Sequence, residues 1–143
     1  MKIKDVLRGK GNQVVTISPE ATVTELLALL AEHNIGAVVV SPDGSSVAGI
    51  VSERDIVRIV AERGGAALAE PVSGCMTRDV VFAEPGETVD SLLERMTDRR
   101  VRHLPVCLGE RLVGIISIGD LVKSKISEVE AEASGLKAYI AAG

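Results

Sequence analysis

Apolar positions along this chain follow two periods, one typical of helices and one typical of short buried strands, and each occurs twice. In residues 23–30, apolar side chains occupy the first, fourth, fifth and eighth positions, which is the spacing of one helix face. Residues 89–96 repeat this spacing. Short aliphatic runs follow each stretch, at GAVVV (36–40) and HLPVC (103–107). The pattern therefore predicts a helix followed by a strand in both halves of the chain.

Turn and capping residues complete the order of elements in each half. A short strand, Val14–Ile17 in the first half and Val80–Ala83 in the second, ends next to a proline. Thr22 and Glu25 form the sequence pattern of a capping box before the first helix. After a turn, a further strand leads into Ser-x-x-Asp, a second helix start. We expect two β-α-β-β-α units, and hence an α/β (α+β) fold.

The two halves are copies of one unit. GIVSERDIV at 49–57 and GIISIGDLV at 114–122 share glycine, two β-branched residues, serine, aspartate and a final apolar pair. The flanking residues also match, at an offset that changes by one residue in the turn near Asp43. A period this long indicates two copies of a supersecondary unit. Because half a chain makes only a marginal core, we expect the copies to pack together through their sheets as a pseudo-two-fold pair.

We divide the chain at its composition changes. A first repeat with the N-terminal segment takes 1–66, and a linker rich in small residues and proline takes 67–79. The second repeat takes 80–126, and a C-terminal helical tail takes 127–143.

Composition and charge narrow the function. The formal net charge of −4 argues against a nucleic-acid-binding protein, although the cluster RRVRH at 99–103 is locally basic. The apolar runs are too short for a membrane span, and the first residues lack the apolar core of a secretory signal. Two cysteines, Cys75 and Cys107, suggest no disulfide framework. We expect a cytoplasmic protein that contacts neither nucleic acid nor membrane.

The repeated Ser-x-x-Asp has two compatible interpretations. Ser52 with Asp55, and Ser117 with Asp120, are typical of a helix N-cap in which each residue bonds the other's backbone. A helix N-terminus is also a natural anion site, and an aspartate one turn along can accept hydrogen bonds from ribose hydroxyls. The same residues therefore suit a nucleoside phosphate.

Enzymatic interpretations find little support. His33 and His103 have no cysteine or carboxylate at metal-ligand spacing, and the chain contains no glycine-rich Walker loop. Ser52 and Ser117 have no histidine base at an arguable position. We predict no catalytic residues, no metal site and no obligatory cofactor.

The order of elements and both glycine-led signatures resemble tandem cystathionine β-synthase (CBS) domain pairs over about residues 1–126. RHLPV, LVGIISIGDLVKS and LKAYI further resemble small stand-alone bacterial CBS-pair proteins. The resemblance implies a sensor that binds an adenine nucleotide and forms a flat homodimer through helices. AMP is the first candidate ligand, and ATP and NAD(H) are further candidates.

The resemblance also implies two ligand sites, one for each signature. The first comprises Thr16, Ile17, Gly36, Ala37, Val38, Ser52, Arg54 and Asp55. The second comprises Phe82, Ala83, Arg102, His103, Leu104, Pro105, Ser117, Gly119 and Asp120. Phe82 either stacks on the base or is simply a core residue, and Arg54 either binds phosphate or forms a salt bridge on an exposed helix.

The two implied sites differ in charge. Arg102 and His103 replace Gly36 and Ala37 of the first copy, whereas Arg54 of the first copy is matched by a glycine. We therefore expect the second site to prefer a compact mononucleotide and the first to admit a longer ligand such as ATP or NAD(H).

Two functions of different classes remain open. The first is an adenine-nucleotide sensor acting on a regulated protein that the sequence does not identify. The alternative is a structural dimerisation scaffold with vestigial clefts. In either case we expect certain apolar positions of the second helices to be buried between subunits or on the sheet: Ile56, Ile59, Val60, Leu121, Val122 and Ile126.

Overall fold

The computed structural model describes residues 1–10 and 14–142. The helices in these residues are α1 (Ile3–Lys10), α2 (Val23–His33), α3 (Glu53–Arg63), α4 (Val89–Arg99) and α5 (Ile118–Ala142). The strands are β1 (Thr16–Ile17), β2 (Ala37–Val40), β3 (Gly49–Ser52), β4 (His103–Leu108) and β5 (Arg111–Ser117). Two short 3-10 helices, Gly64–Ala69 and Val72–Gly74, connect the repeats.

The first helix of each repeat begins and ends as its local sequence dictates. Thr22 Oγ1 accepts a hydrogen bond from the Glu25 amide at 3.2 Å, although the return bond of the predicted capping box does not form among the described contacts. Thr88 caps α4 in the same way. Both helices end at a left-handed residue, Asn34 (φ 53°) and Arg100 (φ 55°). Left-handed backbone is less favourable for arginine than for asparagine.

The two sheets are not equal. In the first repeat, β1 pairs in parallel with β2, and β2 pairs antiparallel with β3. In the second repeat only β4 and β5 form a sheet. The predicted strand Val80–Ala83 was wrong, because it is reduced to one parallel bridge between Ala83 and Val106.

A proline explains the missing strand. The Ala83 amide donates to the Pro105 carbonyl at 3.0 Å, and the Cys107 amide donates to the Ala83 carbonyl at 2.9 Å. In a parallel ladder the next bond would run from the amide of residue 105 to the Val81 carbonyl. Proline has no amide hydrogen, so the ladder stops. The corresponding residue of the first repeat is Val39, which keeps its donor.

The leading segments of the two repeats are exchanged. Ile3 of α1 is fully buried in the core of the second repeat, and its amide donates to the Glu87 carbonyl at 2.9 Å. Val72 is fully buried in the core of the first repeat, and its amide donates to the Ala21 carbonyl at 2.8 Å. Each repeat is therefore completed by the segment that precedes the other one. Residues 1–10, grouped with the first repeat by chain order, pack on the second.

This exchange accounts for the glycine that opens each signature. A Cβ atom on Gly49 would lie 2.7 Å from both Met76 Sδ and the Thr77 carbonyl oxygen. A Cβ atom on Gly114 would lie 2.7 Å from Leu7 Cδ2. Both glycines thus face the exchanged segment at a distance that excludes a side chain without movement of the neighbour.

The repeats meet through their sheets. A cluster of Val39, Cys107 and Leu112 joins β2 to β4 and β5, and all three residues are buried. The Leu112 amide also donates to the Ser45 carbonyl at 2.8 Å. The mixed α/β fold with two repeats packed sheet to sheet is confirmed.

The second helices bury only part of their apolar surface within the chain. Ile56 and Leu121 are buried in their own repeats, and Ile59 and Val60 pack beside the first core. Other apolar side chains of α3 and α5 are exposed: Val57, Ile118, Val122, Ile126 and Val129. Within the part of the chain that the structure describes, no helix is both long enough and apolar enough to cross a bilayer.

Candidate functional site

Both Ser-x-x-Asp signatures form reciprocal caps. The Ser52 amide donates to Asp55 Oδ2 at 2.9 Å, and the Asp55 amide donates to Ser52 Oγ at 3.3 Å. The Ser117 amide donates to Asp120 Oδ2 at 2.9 Å, and the Asp120 amide donates to Ser117 Oγ at 3.1 Å. The predicted cap is confirmed at both places, and each carboxylate keeps acceptor capacity beyond it.

The start of α3 borders a cleft of about 840 Å³ between the two repeats. The first repeat contributes Gly36, Ala37, Ile50, Ser52, Glu53, Arg54, Asp55, Val57 and Arg58. The segment before the second repeat's helix contributes Thr77, Asp79, Val80 and Val81. The turn after α4 contributes Arg100, Val101, Arg102 and His103.

This cleft combines residues that the sequence divided between two sites. Arg102 and His103, expected in the second site, line it together with Arg54 and Asp55 of the first. The sequence led us to expect Arg54 and Arg102 in two separate sites of different charge, but both side chains line this one cleft. Arg54 and Arg102 face one common space.

Four arginines give the cleft its positive charge: Arg54, Arg58, Arg100 and Arg102. All four are exposed, and none forms a salt bridge with the residues that the structure describes. The salt bridge considered for Arg54 is thus not present among them. Glu53, Asp55 and Asp79 line the same space, so arginines outnumber carboxylates there by one.

The N-terminus of α3 is partly satisfied within the protein. The Glu53 amide donates to the Gly36 carbonyl at 3.0 Å, and the Asp55 amide is taken by Ser52. A helix start binds anions through amides without an internal partner. Only the Arg54 amide among the first three lacks a partner in the described residues, so arginine side chains must supply most of the donors for an anion.

His103 lies between the two signatures. Its imidazole is partly buried, and this burial lowers the pKa of His103 below its ordinary value. The nearby charges of Lys10 and Arg102 lower the pKa further, while Asp120 and Glu53 oppose the shift. Burial therefore favours the neutral form of His103, and charged groups near both signatures act on its pKa.

The second signature is engaged by Lys10, a residue that sequence reasoning missed. Lys10 Nζ lies 2.7 Å from Asp120 Oδ2 and donates to the Ile115 carbonyl at 2.9 Å. Burial alone would raise the pKa of Asp120, but the hydrogen bonds from Lys10 and from the Ser117 amide outweigh it and leave that pKa lowered. Only knowledge of the segment exchange could have identified Lys10, because the exchange places it beside an aspartate 110 positions away in the sequence.

The remaining predicted residues lie outside the lining of the cleft. Ile17, Val38, Ala83, Leu104 and Pro105 are buried, so their side chains do not line the cleft.

Phe82 is 42% exposed, which contradicts the core interpretation, and its carbonyl accepts a bond from Arg95 at 2.8 Å. Thr16 is half-buried. A Cβ atom on Gly119 would meet nothing closer than 3.6 Å, so that glycine does leave room. Ser117, Gly119 and Asp120 belong to the second signature, away from the cleft lining.

Sequence reasoning also missed part of the cleft. Arg58 follows Arg54 by one helical turn, and Arg100 belongs to the basic cluster noted in the sequence. Val80, Val81 and Val101 form the apolar wall of the cleft, and only the tertiary structure shows that they lie near α3. Among residues 1–10 and 14–142, no three His, Cys, Asp or Glu side chains are grouped as metal ligands.

Two repeats that exchange their leading segments around a shared cleft define a tandem-repeat module. The family model of the CBS domain matches the chain at residues 3–62 and again at 72–127. The chain therefore belongs to the CBS domain family. The predicted resemblance is confirmed.

Named relatives cover nearly the whole chain. The mitochondrial CBS domain-containing protein CBSX3 of Arabidopsis thaliana is 32% identical over 149 residues, which span 99% of this chain and 72% of the relative. The crystal structure of the CBS-domain containing protein ATU1752 from Agrobacterium tumefaciens is 48% identical, with a TM-score of 0.83. That match covers 87% of this chain and 99% of the other.

A second solved structure is similar in fold. The CBS domain pair of protein MJ0100, solved in complex with 5′-methylthioadenosine and S-adenosyl-L-methionine, has a TM-score of 0.79 at 24% identity. The match covers 90% of this chain and 98% of that one.

Proposed function

We propose that this protein is a regulatory module that binds an adenine nucleotide in the cleft at the start of α3. The proposal rests on one observation: the Ser52–Asp55 cap and four arginines line the same cleft. None of these arginines has a salt-bridge partner among the described residues. A cluster of unpaired guanidinium groups is suited to phosphate, since each offers a planar fork of donors.

Each part of a nucleotide has a complementary wall. The Asp55 carboxylate, capped by Ser52, accepts the ribose hydroxyls. The arginines bind the phosphates, and the Arg54 amide adds a donor. The base lies on the apolar side formed by Val80, Val81 and Val101, where strand and turn backbone groups are in reach of its polar edge.

The charge of the cleft bears on ligand length. Four arginines on α3 and on the turn 100–103 offer more donors than one phosphate needs, and a di- or triphosphate would use more of them. We therefore favour ATP, ADP or NAD(H) in this cleft, with AMP as a weaker ligand. The fold itself accommodates adenosine derivatives, as the complex of MJ0100 illustrates.

Signalling follows from the position of the cleft. Its walls belong to both repeats, so a ligand that contacts Arg54 and Arg102 together links α3 to the start of β4. Ligand binding then favours one relative arrangement of the repeats by the difference in affinity between arrangements. The module has no catalytic role in this scheme and acts on a partner protein in the cytoplasm.

A homodimer is part of the proposal. Val57, Ile118, Val122, Ile126 and Val129 are exposed apolar residues on α3 and α5, the helices expected at the subunit interface. Their burial against a second copy would place the ligand cleft close to the interface.

The test is titration calorimetry with AMP, ADP, ATP, NAD and NADH, supported by thermal unfolding. A ligand at a hundredfold its dissociation constant stabilises the folded protein by about 2.7 kcal/mol. Asp55→Asn should weaken binding, whereas Asp98→Asn, the same change at an exposed position outside the cleft, should not. No binding of any of these ligands at millimolar concentration would reject the sensor in favour of the structural scaffold.

A further inference from the structure

We infer that Lys10 acts as an internal occupant of the second signature, so that the protein binds nucleotide at the first signature only. This inference rests on the proposed function for its ligand class. Lys10, which is 110 positions from Asp120 in the sequence, then determines which of the two signatures can bind a nucleotide.

The ammonium group of Lys10 takes the place of ribose donors. It donates to Asp120 Oδ2 at 2.7 Å and to the Ile115 carbonyl at 2.9 Å. Asp120 Oδ2 also accepts the Ser117 amide, whereas the second donor to Asp55 Oδ2 is the hydroxyl of Ser52, which belongs to the cap itself. A ribose offers two hydroxyl donors to an aspartate, and these would compete with the ammonium for the same carboxylate.

Among the residues that the structure describes, none occupies the first signature in this way. Leu7 and Met76 contact the two signature glycines in equivalent ways, so the exchanged segments align at an offset of 69 residues. Lys10 then corresponds to Asp79, which lines the first cleft. A carboxylate cannot donate to Asp55 when ionised, so the first signature stays open to a ligand.

The Lys10–Asp120 ion pair is weak enough to compete with a ligand without excluding it permanently. The side chains of Lys10 and Asp120 keep relative exposures of 36% and 25%, so solvent screens the ion pair. Lys10 is nevertheless held near Asp120, because α1 is anchored by Ile3 in the core of the second repeat. The effective concentration of the ammonium at Asp120 is therefore high.

The decisive experiment is calorimetry of wild type, Lys10→Met and Lys10→Arg with ADP and AMP. We expect one nucleotide per chain for wild type and Lys10→Arg, which retains the ion pair. We expect two per chain for Lys10→Met, which keeps the length of the side chain and removes its donors. The new event should be at least tenfold tighter than any second event in wild type.

Controls separate this inference from the proposed function. Lys4→Met removes an exposed lysine from the same helix and should leave one site. Lys10→Met combined with Asp120→Ala should lose the new site, and Lys10→Met combined with Asp55→Asn should keep only the new site. Circular dichroism and the unfolding midpoint verify that each variant folds, and Lys10→Gln serves if Lys10→Met does not.

The outcomes are distinct. If Lys10→Met, or Lys10→Gln in its place, binds no more nucleotide than wild type, the inference is overturned. Two equal sites in wild type overturn it as well. If wild type binds none while Lys10→Met binds one, the role of Lys10 stands and the proposal for the first cleft fails.

Discussion

The Ser52–Asp55 and Ser117–Asp120 signatures have the same local structure in different surroundings. Both form a reciprocal cap with nearly the same hydrogen-bond lengths. The first opens on a cleft with four arginines, whereas the carboxylate of the second is paired with Lys10. A signature therefore specifies a helix start, and neighbouring segments decide whether its aspartate can take a ligand.

The segment exchange produces this difference. Each signature faces the leading segment of the opposite repeat, and these two segments have diverged more than the signatures have. Asp79 lies at one signature and Lys10 at the other. The equivalent position in the two exchanged segments is therefore negatively charged beside one cap and positively charged beside the other.

The largest expected effect is on ligand affinity. Asp55→Ala should reduce nucleotide affinity by about 1.5–3 kcal/mol, since charge-assisted hydrogen bonds to the ribose are lost. Asp120→Ala should change affinity little, because its carboxylate is already paired. The sequence alone gives Asp55 and Asp120 the same ribose-binding role, so it predicts a loss at Asp120 as well. Calorimetry on both variants checks this, and equal losses would contradict the distinction between the signatures.

Substitution of the two signature glycines should reduce the free energy of unfolding by different amounts. Gly49→Ala places a methyl group against the Thr77 backbone, which cannot move aside, and should cost about 1–3 kcal/mol. Gly114→Ala meets only the end of the Leu7 side chain and should cost less. Urea unfolding of both variants measures the difference. A larger cost at Gly114 would show that the two exchanged segments are not packed as described.

The arginines should act on one ligand. Arg54→Ala and Arg102→Ala should each lower the affinity for ADP by about 1 kcal/mol, because both exposed side chains line the same cleft. Arg111→Ala, at an exposed position outside the cleft, is the matched control. If Arg102→Ala affected AMP alone and Arg54→Ala affected only longer ligands, the separate sites expected from the sequence would be restored.

The smallest effect concerns pH. Burial lowers the folded-state pKa of His103, so the unfolded chain binds a proton first as the pH falls below about 6.5. The contribution of neutral His103 to stability is complete above that pH and is lost as the pH falls through the folded-state value. His103→Asn should flatten the dependence of the unfolding free energy on pH in this window. An unchanged slope in urea titrations from pH 7.5 to 5 would exclude the effect.

The sequence by itself determined the features that depend on local physics. Helical spacing in residues 23–30 and 89–96 located α2 and α4, and Ser-x-x-Asp located the starts of α3 and α5. These predictions hold because capping and amphipathic periodicity involve residues three or four apart. The duplicated signatures also carried the resemblance to the CBS family, which is confirmed, and with it the expected fold class.

Only the tertiary structure decided how the repeats share their parts. The loss of the strand before Ala83 depends on Pro105, a residue of another strand. The common cleft brings Arg54 to Arg102, and the occupied signature brings Lys10 to Asp120. These three pairs are 22, 48 and 110 positions apart in the sequence, and no local period encodes them. The exchange of leading segments sets the last of these pairs, because it fixes which charged side chain lies beside each signature.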